Sequence, residues 1–169
     1  MRWTFRDATT ADVPTLTALI NRAYRVEDFF KLTDRIDEAD LARHLERGRI
    51  IAARGNGQEP AGCVYVEVRN GQGYLGLLSA EPDLQGQGLG RALIGAAEAA
   101  AMAAGCEEMT LSVVNLREEL IPWYGRIGYA AFATEPFPED EPTRVPVHFI
   151  LMSRPLRTAT PSPNQEASS

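Results

Sequence analysis

Trp3-Thr4-Phe5-Arg6 alternates apolar and polar positions, as a half-buried strand does. The pattern then changes period. Val13, Leu16, Ile20 and Ala23 fall on one helical face, with Thr9 or Thr10 placed to cap the helix and Asp12 in its first turn. Arg25 to Ile36 keeps neither period and reads as an irregular segment, either a pocket wall or a connector around a buried Phe pair. Asp37 caps a second helix with Leu41 and Leu45 on its apolar stripe, and Gly48 stops it. Three strands follow: Ile50-Ile51-Ala52-Ala53, Cys63 to Val68, and Tyr74 to Ala80. The turn sequences Gly55-Asn56-Gly57 and Asn70-Gly71 separate them, so an antiparallel meander is expected.

Helical spacing returns with Leu89, Leu93, Ala97, Ala100 and Ala104, in a helix expected from Ala92 to about Ala104 and closed by Gly105. Met109 to Val114 is the next strand. A strand, a crossover helix and a second strand imply a parallel pair. A short helix begins between Arg117 and Pro122, carries Glu118 and Glu119 near its start, and ends at Gly128. Tyr129 to Ala133 and Val147 to Met152 are the last strands, on either side of an acidic, proline-rich loop from Glu135 to Pro146. Residues 1–157 read as a single domain, and the Ser/Thr/Pro-rich residues 158–169 as a disordered tail.

The chemistry concentrates where the third meander strand meets the long helix. Leu77 to Ala80 runs through Glu81-Pro82-Asp83-Leu84 into Gln85-Gly86-Gln87-Gly88-Leu89-Gly90-Arg91. A strand, a glycine loop and a helix in that order leave free backbone N–H groups at a positively polarised terminus. Such a terminus binds phosphate. The loop is not a Walker loop, because Arg91-Ala92 follows Gly90 in place of Lys-Ser/Thr. It is not a dinucleotide fingerprint, because Arg91 stands where the third glycine belongs.

The pattern Gln85-x-x-Gly88-x-Gly90 resembles the acyl-CoA loop of the GNAT superfamily of N-acetyltransferases. A second landmark, Asn115 followed by Trp123-Tyr124-Gly125-Arg126-Ile127-Gly128-Tyr129, is similar to that family's Asn, Tyr and Gly-aromatic series. The interval from Asn115 to Tyr124 is slightly long for the family. The order of elements from about residue 3 to residue 156 matches as well. The resemblance implies an α/β (α+β) GNAT-type fold, with a mixed twisted sheet of about seven strands flanked by about four helices.

It also implies roles. Gln85, Gly86, Gln87, Gly88, Leu89, Gly90 and Arg91 would hold the CoA pyrophosphate, with Asn115 as a further contact. Leu78, Ser79 and Ala80 would lie beside the pantetheine arm, on a strand that the family bulges away from its neighbour. A backbone N–H near Leu78 or Ser79 would polarise the thioester carbonyl. Tyr124 would be the general acid that protonates the departing sulfur. Glu27, Asp28, Phe29 and Phe30 would wall the acceptor side, an acidic pair beside an aromatic one that favours a cationic amine. Glu67, Glu27, Asp28 and His148 are candidate bases, and none stands out. The expected reaction is acetyl transfer from acetyl-CoA to the amine of a small molecule or protein by direct attack. The alternative within the same fold is a non-catalytic acyl-CoA sensor.

Composition narrows the partners. Hydrophobic content of 44% and charged content of 24% are ordinary for a globular protein, and a formal net charge of −6 argues against nonspecific nucleic-acid binding. No apolar run reaches membrane-spanning length and no signal sequence is visible, so a cytoplasmic monomer or homodimer is expected. Cys63 and Cys106 are too few for a disulfide framework, and His44 has no second ligand at metal spacing, so no metal is expected.

Overall fold

A computed structural model describes residues 3–156; the expected tail over residues 158–169 lies outside the described residues. Seven strands form one mixed sheet in the order β1-β2-β3-β4-β5-β7-β6. The strands are β1 Thr4–Asp7, β2 Arg49–Arg54, β3 Gly62–Arg69, β4 Gln72–Ala80, β5 Glu108–Val114, β6 Ala130–Pro136 and β7 His148–Pro155. The helices are α1 Val13–Ala23, α2 Glu38–Arg47, α3 Leu89–Ala103 and α4 Leu120–Ile127. The expected order of elements is the observed one. The glycine loop is shorter than expected, because α3 begins at Leu89 rather than Ala92.

Alternation in the central strands splits the core into two layers. Ile50, Cys63 and Tyr65 face α1 and α2 and pack with Leu16, Leu19, Ile20 and Leu41. Ile51, Val64 and Val66 face the other way and pack with Leu89, Leu93, Ile94, Tyr124 and Ile127 of α3 and α4. The caps follow the sequence. The Asp37 side chain accepts from Asp40 N at 2.8 Å, and the Asp12 carboxylate accepts from Thr9 N at 2.8 Å. Gly128 closes α4 in the left-handed region, at φ +114°. Gly48 ends α2 for a different reason. Its backbone is extended, and a Cβ there would lie 2.5 Å from Val66 O.

Two irregularities in β4 shape the molecule. Cys63 pairs with Ser79 and Tyr65 with Gly76, so two residues of β4, Leu77 and Leu78, oppose the single residue Val64. The extra residue is Leu77, at φ +53°, a left-handed conformation that leucine seldom adopts. A one-residue insertion exchanges the faces of the strand beyond it. Leu75 therefore joins the α3 layer, whereas Leu77, two residues later, joins the α1 layer. On its other edge β4 pairs with β5 in parallel only at Gly73–Met109 and Tyr74–Thr110. Beyond those pairs the two strands part.

Candidate active site

The parting of β4 and β5 opens a cavity of about 960 Å³. Leu75 to Ala80 line one side and Leu111 to Val114 the other. The glycine loop closes one end, and the segment after α1 together with the β6–β7 loop closes the opposite end.

At the loop end, Gly86 has φ +85° and Gly88 has φ +83°, and a Cβ at either position would meet nothing within 4 Å. Both glycines are required by backbone conformation, and the space in front of them is open. Gly88 O accepts from Ala92 N at 3.0 Å, whereas the N–H groups from Gly86 to Arg91 have no backbone acceptor among the described residues. They are the free donors of a helix start, suited to an anionic group. Gly90 has a separate role, since a Cβ there would stand 3.4 Å from the Trp123 ring.

The walls carry the remaining expected residues. Leu78, Ser79 and Ala80 line the cavity beside the bulge, and the buried Ser79 hydroxyl donates to Leu77 O at 2.9 Å. Tyr124 is buried, lines the cavity, and packs edge-on against Trp123 and Tyr129 at 5.0 and 5.9 Å. Its hydroxyl makes no hydrogen bond among the described residues. It is not a sealed orphan either, because Thr17 Oγ1 is the only fully buried side-chain polar atom without a partner among them. The phenol oxygen therefore meets the cavity space. Burial pushes its pKa above the ordinary tyrosine value, so it stays protonated at neutral pH.

Other expected residues are placed elsewhere. Gln87 is exposed and does not line the cavity. Asn115 does not line it; its Oδ1 accepts from His148 N at 2.9 Å and clasps the end of β5 to the start of β7. Phe30 is fully buried, Phe29 is half exposed, and neither they nor Asp28 reach the cavity. Of the candidate bases, His148 and Glu67 lie outside it. Glu67 accepts from the Tyr65 hydroxyl at 2.5 Å and from Arg69 Nε at 2.9 Å. His44 packs edge-on against Tyr65 at 4.6 Å.

Glu27 alone of the acceptor-side quartet lines the cavity, and it is not a free acid. Arg117 Nη1 donates to Glu27 Oε2 at 3.0 Å, and Arg117 Nε donates to Glu119 Oε2 at 2.8 Å. Burial opposes the charge of Arg117, but Glu119 and Glu27 outweigh it and hold the group charged. Lys31, Arg35, Tyr74, Phe137 and Glu141 also line this end. Sequence reasoning missed Arg117 and Trp123 as site residues, although both flank the Tyr124 landmark closely. The two loops of this end are joined, since Arg144 N donates to Phe30 O at 2.7 Å and Lys31 forms an isolated bridge with Thr143.

Comparison with known proteins agrees with this geometry. The model of the acetyltransferase (GNAT) family matches residues 13–129. The chain belongs to the GNAT family. Its fold is shared along nearly its whole length with solved GNAT structures. The ribosomal-protein-S18-alanine N-acetyltransferase from Escherichia coli aligns at TM-score 0.70 and 22% identity, covering 95% of this chain and 98% of that one. Nourseothricin acetyltransferase aligns at 0.72 and 22%, covering 93% and 100%. Ard1 from Thermoplasma volcanium aligns at 0.74 and 16%, covering 93% and 99%. At such identities the likeness is one of fold. No curated protein matches the sequence. Among the described residues of this GNAT chain no helix is long and apolar enough to cross a membrane.

Proposed function

We propose that the protein is an acetyl-CoA-dependent N-acetyltransferase in which a primary amine attacks the thioester directly. The observation that carries this reading is the parted seam. One cavity joins the open N–H groups of Gly86 to Arg91 to the free hydroxyl of Tyr124. A chain with only a phosphate-binding loop would need neither the bulge at Leu77 nor a phenol facing the gap.

Acetyl-CoA, when bound, supplies the activated acyl group. The glycine-loop N–H groups bind its pyrophosphate, with Arg91 beside them. The edge of β4 freed by the seam offers backbone N–H groups near Leu78 and Ser79 to the carbonyl oxygen, where charge develops during attack. Tyr124 donates its proton to the departing sulfur. A covalent acyl-cysteine route is disfavoured. Cys63 and Cys106 are both buried, neither lines the cavity, and burial pushes the Cys63 thiol up to about 12. The sensor reading accounts for the loop but gives no reason for the exposed hydroxyl of Tyr124.

The test is release of free thiol from acetyl-CoA against a panel of amines, with acetyl-CoA binding measured by calorimetry. Amine-dependent release supports the transferase. Binding with no release for any amine favours the sensor, and no binding rejects both.

A further inference from the structure

Charge at the acceptor end of the cavity is largely matched within the protein. Arg117 is held between Glu27 and Glu119 at 3.0 and 2.8 Å, and Lys31 Nζ lies 3.4 Å from Glu141 Oε1. Two groups on the segment after α1 are left over. The first is Arg35, which lines the cavity and makes no ion pair or side-chain hydrogen bond among the described residues. Its guanidinium lies over the Tyr24 ring, 5.0 Å from the centroid, a contact that orients the group while leaving its five N–H donors free. The second is one oxygen of Glu27. The Glu27 side chain is 8% exposed and meets Arg117 through Oε2. Oε1 has no donor among the described residues, yet it is not a sealed orphan, so it faces the cavity.

Both groups line the same cavity. Burial raises the pKa of the Glu27 carboxyl, and the charges of Arg35, Arg117 and Lys31 oppose the rise. Arg35 nevertheless forms no ion pair with Glu27. Two opposite charges face one space, each with its hydrogen-bonding capacity unfilled. A ligand that fills both carries an ammonium and an anionic group a short distance apart. A simple cationic amine would leave the half-buried Arg35 in the cavity wall without an anionic partner.

We propose that the acceptor is a zwitterionic amine of the α-amino acid type, its ammonium received by Glu27 Oε1 and its acid group by Arg35. This rests on the transferase reading above. Proton bookkeeping closes. The ammonium sheds one proton to Glu27 before attack, the N–C bond forms as the C–S bond breaks, and the nitrogen sheds a second proton as the amide forms. One proton ends on the CoA sulfur through Tyr124, and the other returns to solvent. The groups facing Glu27 are Arg35 and Lys31 from its own segment, Tyr24 from the end of α1 and Arg117 from the β5–α4 connection. All but Tyr24 are cations, and the Tyr24 phenol is pushed up to about 12 by burial. Glu119, Glu135 and Glu141 line the same cavity, so removal of the Glu27 carboxyl alone decides whether the acid limb of kcat/KM belongs to it.

The experiment measures thiol release from acetyl-CoA with the common amino acids, each offered as free acid and as carboxamide. A lost charge-assisted contact corresponds to roughly a tenfold to hundredfold change. The best acceptor is expected to be used at least tenfold better as free acid than as carboxamide. In Arg35→Met that ratio should fall to near one, Arg35→Lys should restore part of it, and Arg35→Glu should shift preference toward diamines. Glu27→Gln should remove the acid limb of the kcat/KM profile. Preference for the carboxamide, a ratio that survives Arg35→Met, or an unchanged acid limb in Glu27→Gln would overturn the proposal while leaving the transferase standing. Absence of thiol release for every amine, with acetyl-CoA bound, would instead remove the transferase reading itself.

Discussion

Tyr124 combines a buried ring with a hydroxyl that has no hydrogen-bond partner among the described residues. Removing only that oxygen tests its role. Tyr124→Phe is expected to lower turnover by about 10²- to 10⁴-fold while acetyl-CoA affinity stays as in the wild type. Wild-type turnover in the variant, with the chemical step limiting, would make the residue a packing tyrosine. A second residue reports on stability and pH. Arg6 holds the Asp12 carboxylate through contacts of 2.9 and 2.7 Å, and together with Thr9 N–H it lowers the Asp12 pKa to about 2. An unfolded aspartate titrates near about 3.9. The folded value is the lower one, so this stabilisation is complete above about pH 4 and disappears as pH falls through about 2. Arg6 is half exposed, so screening leaves about 1 kcal/mol or less. Melting curves of Asp12→Asn should lie below wild type at pH 7 and converge with it near pH 2.

At the scale of elements, the glycine loop and the bulge cooperate, and the loop can be tested against a matched control. Gly88 at φ +83° and Gly71 at φ +79° share a left-handed backbone, and neither would meet a neighbour through an added Cβ. Valine at either position should cost about 1–2 kcal/mol from backbone strain. Only Gly88→Val should also lose acetyl-CoA affinity by calorimetry. Equal affinity in the two variants would detach the loop from the donor site. The loop was legible in the sequence because its left-handed backbone at Gly86 and Gly88 needs glycine, and glycine leaves a mark. The bulge was expected from the family resemblance alone, and its residues leave no mark of it. Leu77 reads as an ordinary member of an apolar run, and its φ of +53° is set by pairing with β3 rather than by its own preference. The cavity wall was less legible for a related reason. Glu27, Asp28, Phe29 and Phe30 are adjacent in sequence, yet only Glu27 turns to the cavity, and its partner Arg117 lies 90 residues away. Adjacency in the chain carries no information about such a pairing. The periodic elements were placed well because hydrophobic spacing is a local property.

For the molecule as a whole, the sheet is two leaves, β1 to β4 and β5 with β7 and β6, that meet along a short seam. One apolar core layer spans both leaves, with Met109, Leu111, Val113 and Met152 of the second packed with Val64, Leu75 and the α3 side chains, and a polar cluster adds to it. Glu98 of α3, which packs over the first leaf, accepts from Arg154 Nη1 of β7 at 2.9 Å and from the Tyr129 hydroxyl at 2.8 Å. The cluster lies beside the paired end of the seam, since Arg154 is the β7 partner of Met109. The acceptor end relies on the contacts between the segment after α1 and the β6–β7 loop.

A sheet joined by two residue pairs has its weakest line where its ladder stops, and that line is the cavity itself. Within the facing edges, residues 75–80 and 111–114, the amide hydrogens that point into the gap lack rungs, whereas the outward ones face the ladders with β3 and β7. Solvent deuterium should therefore reach the inward set first. A donor molecule lying along the gap would act as the missing rungs. At a hundredfold excess over its Kd it would add about 2.7 kcal/mol to global stability. The gain in exchange protection should concentrate on those two edges. The molecule would then be stiffest while it is loaded and loosest just after release, so turnover itself would set the rhythm at which the two leaves breathe.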